Sequence, residues 1–77
     1  MIVSVGDLAT DLVVRLDSSE IDPVSDTPAV VSLHRGGAAA NVSAVSAHLG
    51  RAARFVGARG EDDLSVAAAS ALRSLGV

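Results

Sequence analysis

The 77-residue sequence has no cysteine, no tryptophan, no tyrosine and a single phenylalanine, Phe55. Without cysteine, neither a disulfide nor a thiolate metal site can staple a small fold. All six basic residues are arginines, at positions 15, 35, 51, 54, 59 and 73. They are scattered, the formal net charge is −3, and no aromatic platform accompanies them. That pattern argues against a nucleic-acid partner. The opening Met-Ile-Val-Ser-Val-Gly lacks the charged and long apolar regions of a secretory signal. No apolar run approaches the roughly 20 residues that span a bilayer. The expectations are therefore a cytoplasmic protein with no membrane and no nucleic-acid partner.

Apolar residues make up 49% of the chain, but alanine and valine dominate them. Such side chains bury little area each. Below about 70–80 residues a single core rarely contributes more than about 3–5 kcal/mol. Residues 1–77 are expected to be the N-terminal part of a larger α/β domain.

Ile2 to Val5 is a short apolar run closed by Gly6, the pattern of a buried parallel strand. Leu8 to Leu16 and Ala29 to Leu33 also read as strands. They flank a polar loop with Asp17-Ser18-Ser19-Glu20 and Asp22-Pro23, and they are expected to pair as a projecting ribbon. From Ala38 the period becomes helical, and Ala38, Val42, Val45 and Leu49 line one face. Gly50 stops that helix. Ala53 to Val56 reads as a strand. Glu61, Asp62 and Asp63 supply acid to a second helix N-terminus, and Gly76 ends that helix. The order is a βαβα start to a parallel α/β sheet with an added antiparallel flap.

Five residues are candidates for binding chemistry. Gly36 and Gly37 open the first helix, where backbone approaches closely and N–H donors are unpaired. The pair serves helix packing, ligand contact or both. Asn41, in the first turn, both donates and accepts hydrogen bonds. Asp7 and Asp11 follow the first strand, where ligands of open α/β sheets bind. A carboxylate there either caps a solvated turn or accepts bonds from neighbouring hydroxyls. No Gly-Lys-Ser/Thr follows the glycines, so this is not a phosphate-cradling P-loop. His34 and His48 have no carboxylate or cysteine at ligand spacing. No catalytic, nucleotide-binding or metal-binding residue is assigned within the segment.

The run Gly36-Gly37-Ala38-Ala39-Ala40-Asn41-Val42-Ser43, followed by Gly50 and Gly60, resembles the N-terminal signature of the ribokinase or PfkB carbohydrate kinase family. Val3-Ser4-Val5-Gly6-Asp7 through Asp11 resembles its first strand and substrate carboxylate. Gly57, Gly60 and Asp62 resemble its Gly-x-x-Gly-x-Asp segment. The resemblance implies a ribokinase-like three-layer α/β/α sandwich with a β-ribbon lid over a sugar site. It also implies transfer of a phosphoryl group from ATP to a sugar hydroxyl, with Mg²⁺, in the full-length protein. By position, Asp7, Asp11, Gly36, Gly37 and Asn41 match substrate-binding positions, and lid contacts fall in residues 12–16 and 29–34. Ala9, Ala38 and Ser65 depart from the family pattern, and the sugar stays open. The family's catalytic base, anion hole and ATP site have no counterpart in residues 1–77. Two other readings remain: a non-catalytic sugar-binding or truncated fragment, and a nucleoside kinase of the same fold. Homodimerisation through the lid ribbon is a further expectation.

Overall fold

Valine-rich runs punctuated by glycine become strands, and alanine-rich runs become helices, in a computed structural model that describes residues 1–77. The strands are β1 (Ile2–Val5), β2 (Ala9–Leu16), β3 (Ala29–Gly36) and β4 (Ala53–Val56), and the helices are α1 (Ala38–His48) and α2 (Asp63–Ser74). β1 runs parallel to β4, with Ile2 opposite Ala53 and Val5 opposite Val56. β2 and β3 form a separate antiparallel ribbon, with Ala9 opposite Gly36 and Leu16 opposite Ala29. The architecture is mixed α/β, with one two-stranded parallel sheet and one two-stranded ribbon.

The ribbon gives the molecule extents of 52 × 28 × 18 Å and a radius of gyration of 15.9 Å. A compact chain of this length would have a radius near 11 Å. Its connecting loop is organised by Asp22, whose carboxylate accepts from the N–H groups of Val24 (2.9 Å) and Ser25 (3.3 Å). β3 runs three residues beyond the expected Leu33. His34, Arg35 and Gly36 continue the ladder because Asp11, Thr10 and Ala9 offer partners.

The apolar stripe of α1 is not the face it buries. Val42, Val45 and Leu49 are exposed, Leu49 at 76%. The buried residues are Ala40, Ser43 and Ala44. The reason is how closely this helix approaches the sheet: a Cβ added at Gly6 would lie 2.9 Å from the Cβ of Ala39. Only small side chains fit that gap. Ser43, fully buried, donates to the Ser4 hydroxyl, and the Arg54 carbonyl lies 3.4 Å from its oxygen. Ser4 donates to the Ala39 carbonyl at 2.7 Å. These hydroxyls join α1 to β1 and β4 where branched apolar side chains would hold it off.

β1 is not buried as expected, with Val3 at 55% and Val5 at 75% exposure. α1 packs on β1 and β4, whereas α2 packs chiefly on β2 and β3. The parallel pair therefore lacks the cover on both faces that such sheets normally have. The core is correspondingly small: Ala40, Ala44 and Leu72, with Leu8, Phe55 and Val77 around them.

Both helices end as their glycines predict. Gly50 has φ +83°, and Arg51 N–H returns to the Ser46 carbonyl at 2.9 Å. Gly76 has φ +93°, and Val77 N–H returns to the Leu72 carbonyl at 3.3 Å. This is the left-handed glycine stop, which satisfies otherwise unpaired carbonyls. No helix is long and apolar enough to cross a membrane.

Candidate functional site

Where the ribbon meets α1, β3 runs straight into the helix through Gly36 and Gly37. The glycines have separate steric causes. A Cβ at Gly36 would lie 2.8 Å from Asp11 Cγ and closer still to a carboxylate oxygen. A Cβ at Gly37 would lie 2.9 Å from the carbonyl carbon of Asp7 and 3.2 Å from the nitrogen of Ala9. Gly37 also has φ +98°, which L side chains rarely adopt. As the N-cap residue it brings no side chain to the helix entrance.

Around this seam lie the other three predicted site residues. Asp11 is exposed on β2, and its carboxylate lies over Gly36. Asp7, also exposed, follows β1 and touches Gly37 through its backbone. Asn41 is exposed in the first turn of α1, and its backbone N–H donates to the Gly37 carbonyl at 2.9 Å. The glycine pair thus adjoins the Asp11 side chain, the Asp7 backbone and the Asn41 backbone.

Strand alternation sorts the ribbon residues. Asp11 pairs with His34, and Thr10 pairs with Arg35. Residues opposite one another share a face, and successive residues take opposite faces. Asp11, His34 and Gly36 therefore occupy one face, and Thr10 and Arg35 the other. Arg35 Nη1–H donates to Asn41 Oδ1 at 3.0 Å. His34 Nε2 and the Ser32 hydroxyl are 3.0 Å apart. The residue-by-residue reading missed Arg35 and the Asp11–His34 pairing. The position of Arg35 beside Gly36 was the available signal for the first, but its reach to Asn41 depends on how the ribbon turns into the helix.

Two cavities lie elsewhere. One, of about 610 Å³, has Phe55, Leu72 and Val77 in its wall. The other, of about 270 Å³, is lined in part by Thr10, Arg59 and Ser65. None of the five predicted residues lines either cavity. Asp11 and Asn41 are exposed, so the chemistry of the seam is that of an exposed carboxylate and carboxamide flanking a side-chain-free backbone.

The Gly57-to-Asp62 segment has its own structural logic. A Cβ at Gly57 would lie 2.9 Å from Phe55 Cε1 and closer still to the Gly6 carbonyl. Asp62 is the N-cap of α2 and Asp63 lies in its first turn. Asp62 accepts from the Ser65 hydroxyl, and this bond holds its carboxyl below the ordinary aspartate range. Ser65, one of the departures from the family pattern, thus takes part in the helix start.

The chain as a whole was compared with known proteins. Curated proteins gave no match. The model of the pfkB family carbohydrate kinases matches residues 1–77, the full extent of the chain. With the glycine pair, the carboxylate above it and the helix asparagine on that matched stretch, the chain belongs to the pfkB family of carbohydrate kinases.

Proposed function

We propose that residues 1–77 are the sugar-binding part of a carbohydrate kinase that phosphorylates a sugar hydroxyl with ATP. The observation that carries this reading is the Asp11 carboxylate lying over Gly36 at the entrance of the helix that bears Asn41. An ionised carboxylate accepts hydrogen bonds from sugar hydroxyls, and such charge-assisted bonds are the stronger kind. The Asn41 carboxamide adds donors, and the side-chain-free Gly36–Gly37 backbone lets a sugar ring come close. Asp7 stands at the same edge, with Gly37 against its backbone.

Kinases of this family generally use ATP and Mg²⁺. No set of three His, Cys, Asp or Glu residues lies together in the segment, and its candidate residues are assigned to the sugar, not to the nucleotide or the metal. We therefore derive only sugar binding from this segment and place catalysis in a larger domain of which it is the N-terminal part. The uncovered faces of β1 and α1 support that placement, since Val3, Val5, Val45 and Leu49 are exposed apolar residues. In that domain the parallel pair belongs to the central sheet of a three-layer sandwich. The β2–β3 ribbon is its lid and, through its apolar surface, the contact for a second copy.

A sugar is favoured over a nucleoside. Phe55, the lone aromatic, packs against the core cluster, and Asp11, Gly36 and Asn41 bring no flat apolar wall for a base.

The test is ADP formation by the full protein carrying residues 1–77, measured against a panel of sugars and nucleosides. Stimulation by a sugar is expected, with none from the 77-residue chain alone. Stimulation by nucleosides only, or by no member of the panel, overturns the proposal.

A further inference from the structure

Arg35 ends the ribbon immediately before the glycine pair and is half-buried. Its Nη1–H donates to Asn41 Oδ1 at 3.0 Å. A guanidinium has donors and no acceptor. Only the oxygen of the carboxamide can face it, so the way the amide is turned follows from the partner's chemistry. The Asn41 backbone N–H is already taken by the Gly37 carbonyl. The donors left to Asn41 are the two on Nδ2, on the side away from Arg35. Asp11, when ionised, only accepts. An asparagine without such a neighbour would present either end to a ligand.

We propose that Arg35 is a positioning residue that holds the Asn41 carboxamide with its oxygen engaged, so that Asn41 meets a ligand as a hydrogen-bond donor. This deepens the sugar-binding reading and rests on it. The ligand atom that meets Asn41 is an acceptor oxygen, and the atom that meets Asp11 is a hydroxyl giving up its hydrogen bond. A polyol supplies both, because each hydroxyl donates once and still accepts. Arg35 acts through Asn41 and not on the sugar.

Two measurements on the full protein test this. The first needs no substrate: the ¹⁵N–¹H resonances of the Asn41 side-chain amide. Arg35→Ala is expected to move them, and Arg35→Lys, which keeps a donor and a charge, to move them less. Resonances unmoved in Arg35→Ala overturn the proposal. The second is kinetic. Arg35→Ala is expected to raise the KM for the sugar about three- to tenfold, the size of one net hydrogen bond, with kcat changed by less than about twofold. Arg35→Lys should restore most of the loss. Arg35→Ala combined with Asn41→Ala should be no worse than Asn41→Ala alone. An unchanged KM, or additive effects in the double variant, also overturns it. If the wild type phosphorylates no sugar, the kinase reading falls, while the amide resonances still decide whether Arg35 orients Asn41.

Discussion

The Asp11 carboxylate stands in the space that a side chain on Gly36 would fill, with Asp11 Cγ 2.8 Å from the position of the missing Cβ. Gly36 is buried, yet its backbone does not need the left-handed region. Its lack of a side chain therefore serves the carboxylate. Gly36→Ala should push Asp11 aside and raise the KM for the sugar about tenfold. It should lower stability by less than about 1 kcal/mol, since a flexible side chain can yield. Steady-state kinetics and a urea melt on the full protein check both halves, and an unchanged KM would refute the steric link.

Gly37→Ala should behave differently. Here the obstacle is backbone, the Asp7 carbonyl, and φ is +98°. Neither can move cheaply. A loss of about 1–3 kcal/mol in stability is expected, larger than for Gly36→Ala in the same melt. Equal losses would show that the two glycines are not separated in this way.

Asp11→Asn keeps the size of the side chain and removes its charge. Asp11 is exposed, so the melting temperature should hardly change. Loss of charge-assisted bonds to hydroxyls should reduce kcat/KM for the sugar about 10- to 100-fold. A variant as active as the wild type would remove Asp11 from the cradle.

The hydroxyl chain under α1 makes a stability prediction. Ser43 is fully buried and donates to the Ser4 hydroxyl, which donates in turn to the Ala39 carbonyl. Ser43→Ala should cost about 1–2 kcal/mol. Ser4→Ala and Ser43→Ala share a bond, so the double variant should lose less than the sum of the two. Additive losses in denaturant melts would mean that the bond contributes nothing.

The ribbon loop carries a pH prediction. The Asp22 carboxyl is held below the ordinary aspartate value of 3.8, first by the Ser25 hydroxyl and then by the N–H groups of Val24 and Ser25. A depressed value in the folded state favours the ionised loop. Its contribution is present above pH 3.8 and is lost as pH falls through the folded value. A ¹³C carboxyl titration should give a midpoint below 3.8, and Ser25→Ala should raise it. A midpoint at or above 3.8 would contradict the turn geometry.

Element identity was legible because it rests on local signals. β4 spans Ala53–Val56 as read from its apolar run, and Gly50 and Gly76 end the helices that precede them. The ribbon pairing followed from two valine-rich runs around a polar loop. The burial of α1 was not legible. The stripe at Val42, Val45 and Leu49 has the right helical period, but hydrophobicity does not report how near the helix comes to its sheet. The candidate site was legible as residue types and only partly as geometry. The carboxylate over Gly36 needs the β2–β3 register, and the Arg35 bond to Asn41 needs the turn from strand to helix.

By itself the sequence determined which segments are strands and helices, where the two helices stop, and which residues bring acceptors, donors or bare backbone to the first helix entrance. These are properties of neighbours in the chain: side-chain period, glycine's access to positive φ, and the donor and acceptor inventory of each residue. Tertiary structure alone decided that α1 buries alanine and serine and that Arg35 reaches the Asn41 amide. Those outcomes depend on distances between separate elements, set by the size of every side chain between them.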